Sequence, residues 1–405
     1  MKKTLEMISA GEALRLVLEA SKILESEEVS AEAACGRVLA KPLSAREDLP
    51  AFDNSSMDGY ALRSRDVSGA CADSPKVLIL DGGARAGGPP ASEVGPGKAV
   101  RVLTGAPVPA GADCVVMQEK TATAGDGRLL ILEEPESGQF VRRRGEDVAS
   151  GAPLLEAGTL LRPVELGLLA AQGLGVVRVV RRPRVALVAT GDELARPAPG
   201  AALRDSSGPA LAAACTGWGA EFFRHPPVGD DRAAIAAAVR LAAAKADVVL
   251  LTGGVSVGDY DFTRAALEDL GAEIVFAGVS IRPGKPLLFA RLAETLVFGL
   301  PGNPVSSLVC AEEFVLPALR GLRGLGPEGP SLEGEVSGSF SLRDERRHYL
   351  FCRAHWEGGR WRLELLASQG SARLTAASRA DALAIAEGGP RTVKAGETLR
   401  FRRLT

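Results

Sequence analysis

The stretch "FDNSSMDGYA", residues 52–61, sets Asp53, Asn54, Ser55, Ser56 and Asp58 between Phe52 and Tyr60, with no histidine or cysteine among them. Such a loop is either an acid–base cluster or a turn rich in small polar residues. Further along, "TGDEL" (190–194) and "RRRGED" (142–147) add Asp192, Glu193, Glu146 and Asp147 beside glycine. Oxygen-only clusters of this kind suit Mg²⁺, which keeps several waters and shares one or two carboxylates with substrate phosphates. Helix capping accounts for Asp192 and Glu193 as well, and Arg142, Arg143 and Arg144 fit a solvated run as readily as a phosphate contact.

Three further segments read as anion sites. In "TGGVSVGDYD" (252–261), Gly253, Gly254 and Gly258 let backbone N–H groups approach an oxyanion, Ser256 adds a hydroxyl, and Asp261 opens the next helix. In "IRPGKPLLFA", Arg282 and Lys285 flank a stiff Pro-Gly bend, an arrangement suited to a tetrahedral dianion. "GLPGNPVSS" presents a rigid loop ahead of a helix that starts at Pro304.

The elements that must position these loops can be read from pattern. "SAGEALRLVLEASKIL" opens with a capping box, Ser9 and Glu12, and predicts a first helix; "SAEAACGRVLAKPL" predicts a second, capped by Ser30 and closed by Pro42. From Pro50 to about Val148, short β-like runs separated by glycine and proline turns predict a small β domain. Between 183 and 320, strands alternate with helices, which implies an open, mostly parallel, doubly wound α/β sheet. Ligands of such sheets lie beyond the carboxyl ends of the strands, so the loops at 190–194, 252–261 and 299–304 should converge on one rim. The expected division is multidomain: 1–45 with 149–178 as an elongated helical body, 46–148 as an inserted β domain, 179–327 as the α/β domain and 328–405 as a C-terminal β domain.

The 405 residues exceed what one core usually organises, and 46% apolar content supplies ample core material. A formal net charge of −2 gives no field for nucleic acid or anionic lipid, so any anionic ligand must be met locally. Six scattered cysteines and three histidines show no metal-ligand spacing, which argues against a soft-metal site built from side chains. The start of the chain lacks a signal-peptide pattern and "LGLLAAQGLGVVRVV" (166–180) is too broken to span a bilayer, so a cytoplasmic setting without a membrane is expected.

Taken in order and spacing, "FDNSSMDGYA", "RVLTGAPVPAGADCVVMQE", "VRRRGEDV", "VALVATGDEL", "LTGGVSVGDYDFT", "IRPGKPLLFA" and "GLPGNPVSS" strongly resemble the molybdopterin molybdenumtransferase family, MoeA in bacteria and the E domain of gephyrin in animals. The resemblance covers nearly the whole chain. It implies a four-part homodimer with a molybdopterin-binding α/β domain and a C-terminal β-barrel-like domain. Its implied activity is to take adenylylated molybdopterin and molybdate, release AMP with Mg²⁺ and yield molybdenum cofactor. The dithiolene of the pterin would then supply the soft ligands, leaving the protein to manage oxyanions and a hard cation. Implied partners are the adenylyltransferase that makes the substrate and chaperones that take the product.

Residue by residue, the resemblance assigns catalytic roles to Asp58, Thr104, Asp147, Glu193, Asp230 and Asp261, and molybdate binding to Ser256, Arg282, Lys285, Pro286, Arg353 and Ser371. It places Mg²⁺ near Asp58, Glu193 and Asp230. Two departures stand out: Arg282 and Gly278 replace lysines found in relatives, and "RADALAIAE" replaces an alanine-asparagine-glycine turn. A non-catalytic scaffold that binds the pterin, and an adenylyltransferase built on a similar α/β domain, are the competing readings.

Overall fold

The computed structural model describes residues 7–88, 92–196, 203–254, 262–326 and 331–404. Its centre is a six-stranded sheet in the order Glu221–Arg224, Arg184–Ala189, Val248–Thr252, Thr295–Leu300, Leu288–Leu292 and Glu273–Ala277. The first four strands run parallel; Leu288–Leu292 alone runs against them, pairing antiparallel with both Thr295–Leu300 and Glu273–Ala277. Every residue of Val248–Thr252 and Thr295–Leu300 is buried, without alternation, because helices cover both faces. On one face Phe289 lies 5.6 Å from Phe276 and 4.9 Å from Phe298, ring centroid to centroid. The other face packs Val249 and Leu251 against Ile235, Val239 and Leu267 of the helices Arg232–Ala243 and Phe262–Asp269.

Two expectations for the start of the chain need correction. The first helix forms, Ala10–Ala20, and Ser9 Oγ accepts from Glu12 N at 3.1 Å. Its buried stripe, Ala10, Ala13 and Val17, joins the core of the parallel sheet beside Phe314 and Leu319, so it belongs to that body rather than to an elongated helical one. The second predicted helix shrinks to a single turn, Ala31–Ala34, although Ser30 Oγ does accept from Ala33 N. Gly36, at φ +73°, ends the turn. Val38–Leu39 then pairs with Val176–Val180, which also pairs with Ser26–Ser30, giving a three-stranded antiparallel sheet whose Leu39, Val177 and Val179 are buried. Only Pro163–Ala171 is helical between 149 and 178.

The β body holds a six-stranded sheet, Cys114–Met117, Gly59–Leu62, Lys98–Val102, Lys76–Ala84, Arg128–Ile131 and Thr121–Thr123 in spatial order. Its chain enters and leaves side by side: Leu49 N donates to Val148 O and Asp147 N to Leu49 O, at 2.8 and 2.9 Å. At the other end, Leu332–Val336, Arg347–Glu357, Arg360–Leu365, Ala382–Ala386 and Thr398–Arg403 close into a five-stranded barrel around Phe401, Leu363 and Val336. The segment Ile281–Arg282, part of the chain that forms the parallel sheet, adds itself to this barrel by pairing in parallel with Arg347 and His348.

Because Phe298 is fully buried between sheet and helices, Phe298→Ala should cost about 3–5 kcal/mol of stability. Chemical denaturation of the two proteins, read by near-ultraviolet circular dichroism, checks this.

Candidate functional site

The loop around Asp58 is held by its own polar groups. Asp53 accepts from Arg143 Nη1 at 2.7 Å and from Arg144 N at 2.8 Å, which fastens the 142–146 turn to the loop. Ser55, fully buried, donates to Met57 O at 2.5 Å. Gly59 is required by close approach, since a Cβ there would stand 2.1 Å from Val116 O. Asp58 emerges exposed, and one oxygen, Oδ1, accepts from both Thr104 N and Thr104 Oγ1 at 2.7 Å. These two bonds, the backbone one foremost, with Arg101 nearby, hold the Asp58 carboxyl below its usual value. Asp147 is exposed beyond the same turn, and Glu146 accepts from Arg143 N at 2.7 Å.

The rim of the parallel sheet gathers three strand ends. Ala189 faces Thr252, which in turn faces Leu300. Thr190 N donates to Thr252 O at 2.8 Å, and Gly253 N to Leu300 O at 3.4 Å. A Cβ on Gly253 would lie 2.5 Å from Thr190 O, so this rim admits only glycine. The predicted convergence of the loops after these strands is therefore observed as far as Gly254; Ser256 and Asp261 lie outside the described residues. Beside the rim, Asp192 N donates to Asp230 Oδ2 at 3.3 Å and Asp230 N to Asp192 Oδ1 at 3.2 Å. Both carboxylates keep lone pairs free for a hard cation, and Glu193 is exposed next to them.

The cationic turn stands between the sheet and the barrel. Val279 N donates to Lys285 O at 2.9 Å, closing the turn, and Gly284 packs against Cys310 so closely that a Cβ would sit 2.6 Å from its Sγ. Lys285 is exposed and Pro286 half-buried. Arg282 donates through Nη1 to Asp344 Oδ2 at 2.7 Å, and Arg346 donates to both oxygens of the same carboxylate, at 2.7 and 3.0 Å. Led by Arg346, these bonds push Asp344 far below the ordinary carboxylate range. Next to Arg282 opens a cavity of about 360 Å³, lined also by Ser341, Arg343, His348 and Gln369. His348 is buried, its Nε2 without a hydrogen bond, and desolvation lowers its pKa. Ser371 reaches the rim, where its Oγ accepts from Asn303 Nδ2 of the "PGNP" loop at 3.4 Å.

Among the described residues, two groupings are not assembled within one chain. Arg353 lies six residues along its strand from Arg347, the residue paired with Ile281, which is about 20 Å at strand rise. There it is exposed and donates to Arg379 O, away from the cationic turn. The barrel residues that do meet Arg282 are Asp344, Arg346 and His348, in the run "RDERRHY"; a charged segment just ahead of a strand was the available signal. Likewise, one chain does not assemble Asp58, Glu193 and Asp230. Among the described residues no three His, Cys, Asp or Glu side chains are grouped to hold a metal. Asp58 belongs to the inserted β body, whose hydrogen bonds to the rest of the chain, among the described residues, run through the segments where the chain enters and leaves.

Since Thr104 holds Asp58 ionised, Thr104→Val should raise the Asp58 carboxyl toward the ordinary range. A depressed carboxyl contributes stability that is present above its unfolded value and lost as pH falls through its folded one, so the acid limb of unfolding should also move to higher pH. Carboxyl-carbon NMR titration of labelled aspartate checks the shift.

Three family models match the chain along most of its length. Residues 8–173 match the family described as MoeA N-terminal region (domain I and II), 186–321 the probable molybdopterin binding domain, and 334–402 MoeA C-terminal region (domain IV). A molybdopterin molybdenumtransferase of Nostoc sp. is 38% identical over 92% of this chain and 87% of its own length; that of Bacillus subtilis is 34% identical over 97% and 93%. The solved molybdopterin biosynthesis MoeA protein of Pyrococcus horikoshii superposes with a TM-score of 0.78 at 31% identity, over 98% of both chains. With all three regions matched and relatives of this identity spanning nearly its whole length, the chain belongs to the molybdopterin molybdenumtransferase family.

Proposed function

We propose that this chain is a transferase of molybdenum cofactor biosynthesis that inserts molybdenum from molybdate into adenylylated molybdopterin, with release of AMP. The observation that carries the reading is a pair of anion-handling surfaces: the glycine-lined strand ends at Thr190, Thr252 and Leu300, where Asn303 of the following loop reaches Ser371, and the Arg282 turn held to the barrel by Asp344. The first suits the phosphate-bearing part of the substrate, through backbone N–H groups. The second suits a tetrahedral oxyanion, through guanidinium forks and the exposed Lys285. Ser256, Arg282, Lys285, Pro286 and Ser371 form the molybdate side of this proposal, and Asp147 and Asp261 remain with the carboxylates.

The hard oxygens suit Mg²⁺, with the third carboxylate to come from outside the pair, since no three are grouped among the described residues of one chain. Asp192 and Asp230 offer hard oxygens with free lone pairs, Glu193 adjoins them, and Asp58 stays ionised under the two Thr104 bonds. When bound there, Mg²⁺ would neutralise charge on the adenylyl phosphate. Thr104 meanwhile fixes the orientation of Asp58. Because Asp58 sits on a body tied to its own chain, among the described residues, only near residues 45–50 and 145–152, a homodimer in which the partner's β body completes the rim reconciles the carboxylate set. A cytoplasmic setting, contacts with the adenylyltransferase and downstream chaperones, and a four-part division with bounds near 45, 148, 178 and 327, the first helix joining the α/β part, belong to the same proposal.

The test is direct: purified protein, adenylylated molybdopterin, Mg²⁺ and molybdate, followed for AMP and for cofactor. Asp58→Asn should lower AMP release by about 100-fold or more in a protein that keeps its fold; undiminished release overturns the assignment. Arg282→Ala should raise the molybdate concentration needed for half-maximal rate by roughly 10-fold, the loss of a charge-assisted bond. Substrate binding without molybdate-dependent AMP release would point to a scaffold, and ATP consumption with molybdopterin to an adenylyltransferase.

A further inference from the structure

We propose that Asp344 is a positioning residue of the oxyanion site: it locks Arg282 and the barrel's Arg346 into one two-guanidinium unit, so that the cavity beside Arg282 meets its anion with charge already in place. The proposal rests on the reading that the Arg282 turn binds molybdate.

Three features carry it. First, one carboxylate serves both guanidiniums: Arg282 Nη1 and Arg346 Nη2 each donate to Asp344 Oδ2 at 2.7 Å, and Arg346 Nε to Oδ1 at 3.0 Å. Two cations sharing one anion keep a surplus positive charge, so the cluster still attracts an oxyanion. Second, Asp344 stands apart from the cavity wall that Arg282, Arg343 and His348 form, which lets it hold Arg282 without occupying the space. Arg282 engages Asp344 through Nη1, leaving its other N–H groups for a ligand. Third, the contact spans two bodies. Arg282 sits on the parallel-sheet chain and Asp344 on the barrel, and the pairing of Ile281–Arg282 with Arg347 and His348 holds them at this separation. The Nε2 atom of His348, buried and without a hydrogen bond, lies 3.4 Å from Asp344 Oδ1 on the same side.

An arginine on a loop otherwise spends binding energy on becoming ordered when the ligand arrives. Asp344 removes that cost in advance, and it offsets the repulsion between Arg282 and Arg346 that would splay them.

A double-mutant cycle with molybdate tests this, using the full-length protein, calorimetry for binding and AMP release for activity. Asp344→Ala should weaken molybdate binding about tenfold, with the loss in half-saturation rather than in maximal rate, and Asp344→Glu should restore most of it. In the Arg282→Ala background, Asp344→Ala should have little further effect, because Asp344 acts through Arg282. Additive losses, tighter binding by Asp344→Ala, or no rescue by glutamate in a protein of unchanged melting midpoint would each overturn the proposal. If Arg282→Ala alone leaves molybdate binding intact, the parent reading fails instead.

Discussion

Parallel strands in a sheet covered on both faces deliver their carboxyl ends to one edge, and the remaining architecture is built around that edge. With Val248–Thr252 and Thr295–Leu300 wholly buried, these central strands offer no solvent-facing surface on which to mount polar groups. Chemistry is confined to the loops after Ala189, Thr252 and Leu300. The tight register there explains the glycines: a side chain at Gly253 would collide with Thr190 O, and opening that gap would separate the loops that must act together. The barrel then brings further groups to an edge that the sheet alone leaves sparsely furnished, Ser371 meeting Asn303 there.

Charge in the candidate-site segments is managed by local neutralisation that stays incomplete. Asp53 and Asp48 absorb Arg143 and Arg144, whereas the Arg142 side chain makes no hydrogen bond or ion pair among the described residues. Asp344 binds two arginines at once and leaves a surplus cation beside a cavity. On the acidic side, Asp192 and Asp230 accept, among the described residues, only each other's backbone N–H, so neither is consumed by a cation of the protein. The positive surplus and the free carboxylates occupy different places, which keeps them from annihilating one another and leaves each open to a ligand of opposite sign.

Much of this was legible from residue order. Continuous apolar runs such as "VVLLT" and "TLVFGL" marked the buried parallel strands, and Ser9 with Glu12 marked the first helix as it is capped in the fold. The destination of that helix was not legible: Ala10, Ala13 and Val17 state that a stripe must be buried, and only the tertiary fold decides against which neighbour. The segment 31–45 misled because alanine-rich composition favours helix, yet Gly36 and the demand of Val176–Val180 for an edge partner turned Val38–Leu39 into strand.

The placement of Arg353 has a different origin and shows where motif reasoning stops. Along the strand Arg347–Glu357, residues with identical chemistry are separated by distances that composition does not register, and about 20 Å decides whether a guanidinium meets the cationic turn. What fixes the answer is the pairing of Ile281–Arg282 with Arg347 and His348, a contact between segments more than sixty residues apart. Once that register is known, the participants change: Asp344 and Arg346, ordinary members of a charged run in the sequence, become the groups that meet Arg282. The same reasoning bears on Asp58. Its loop is rigid and its carboxylate ionised, but it is carried on an insertion whose connection to its own chain is two adjacent strands, so its reach is set by how the β body is placed rather than by anything within the loop.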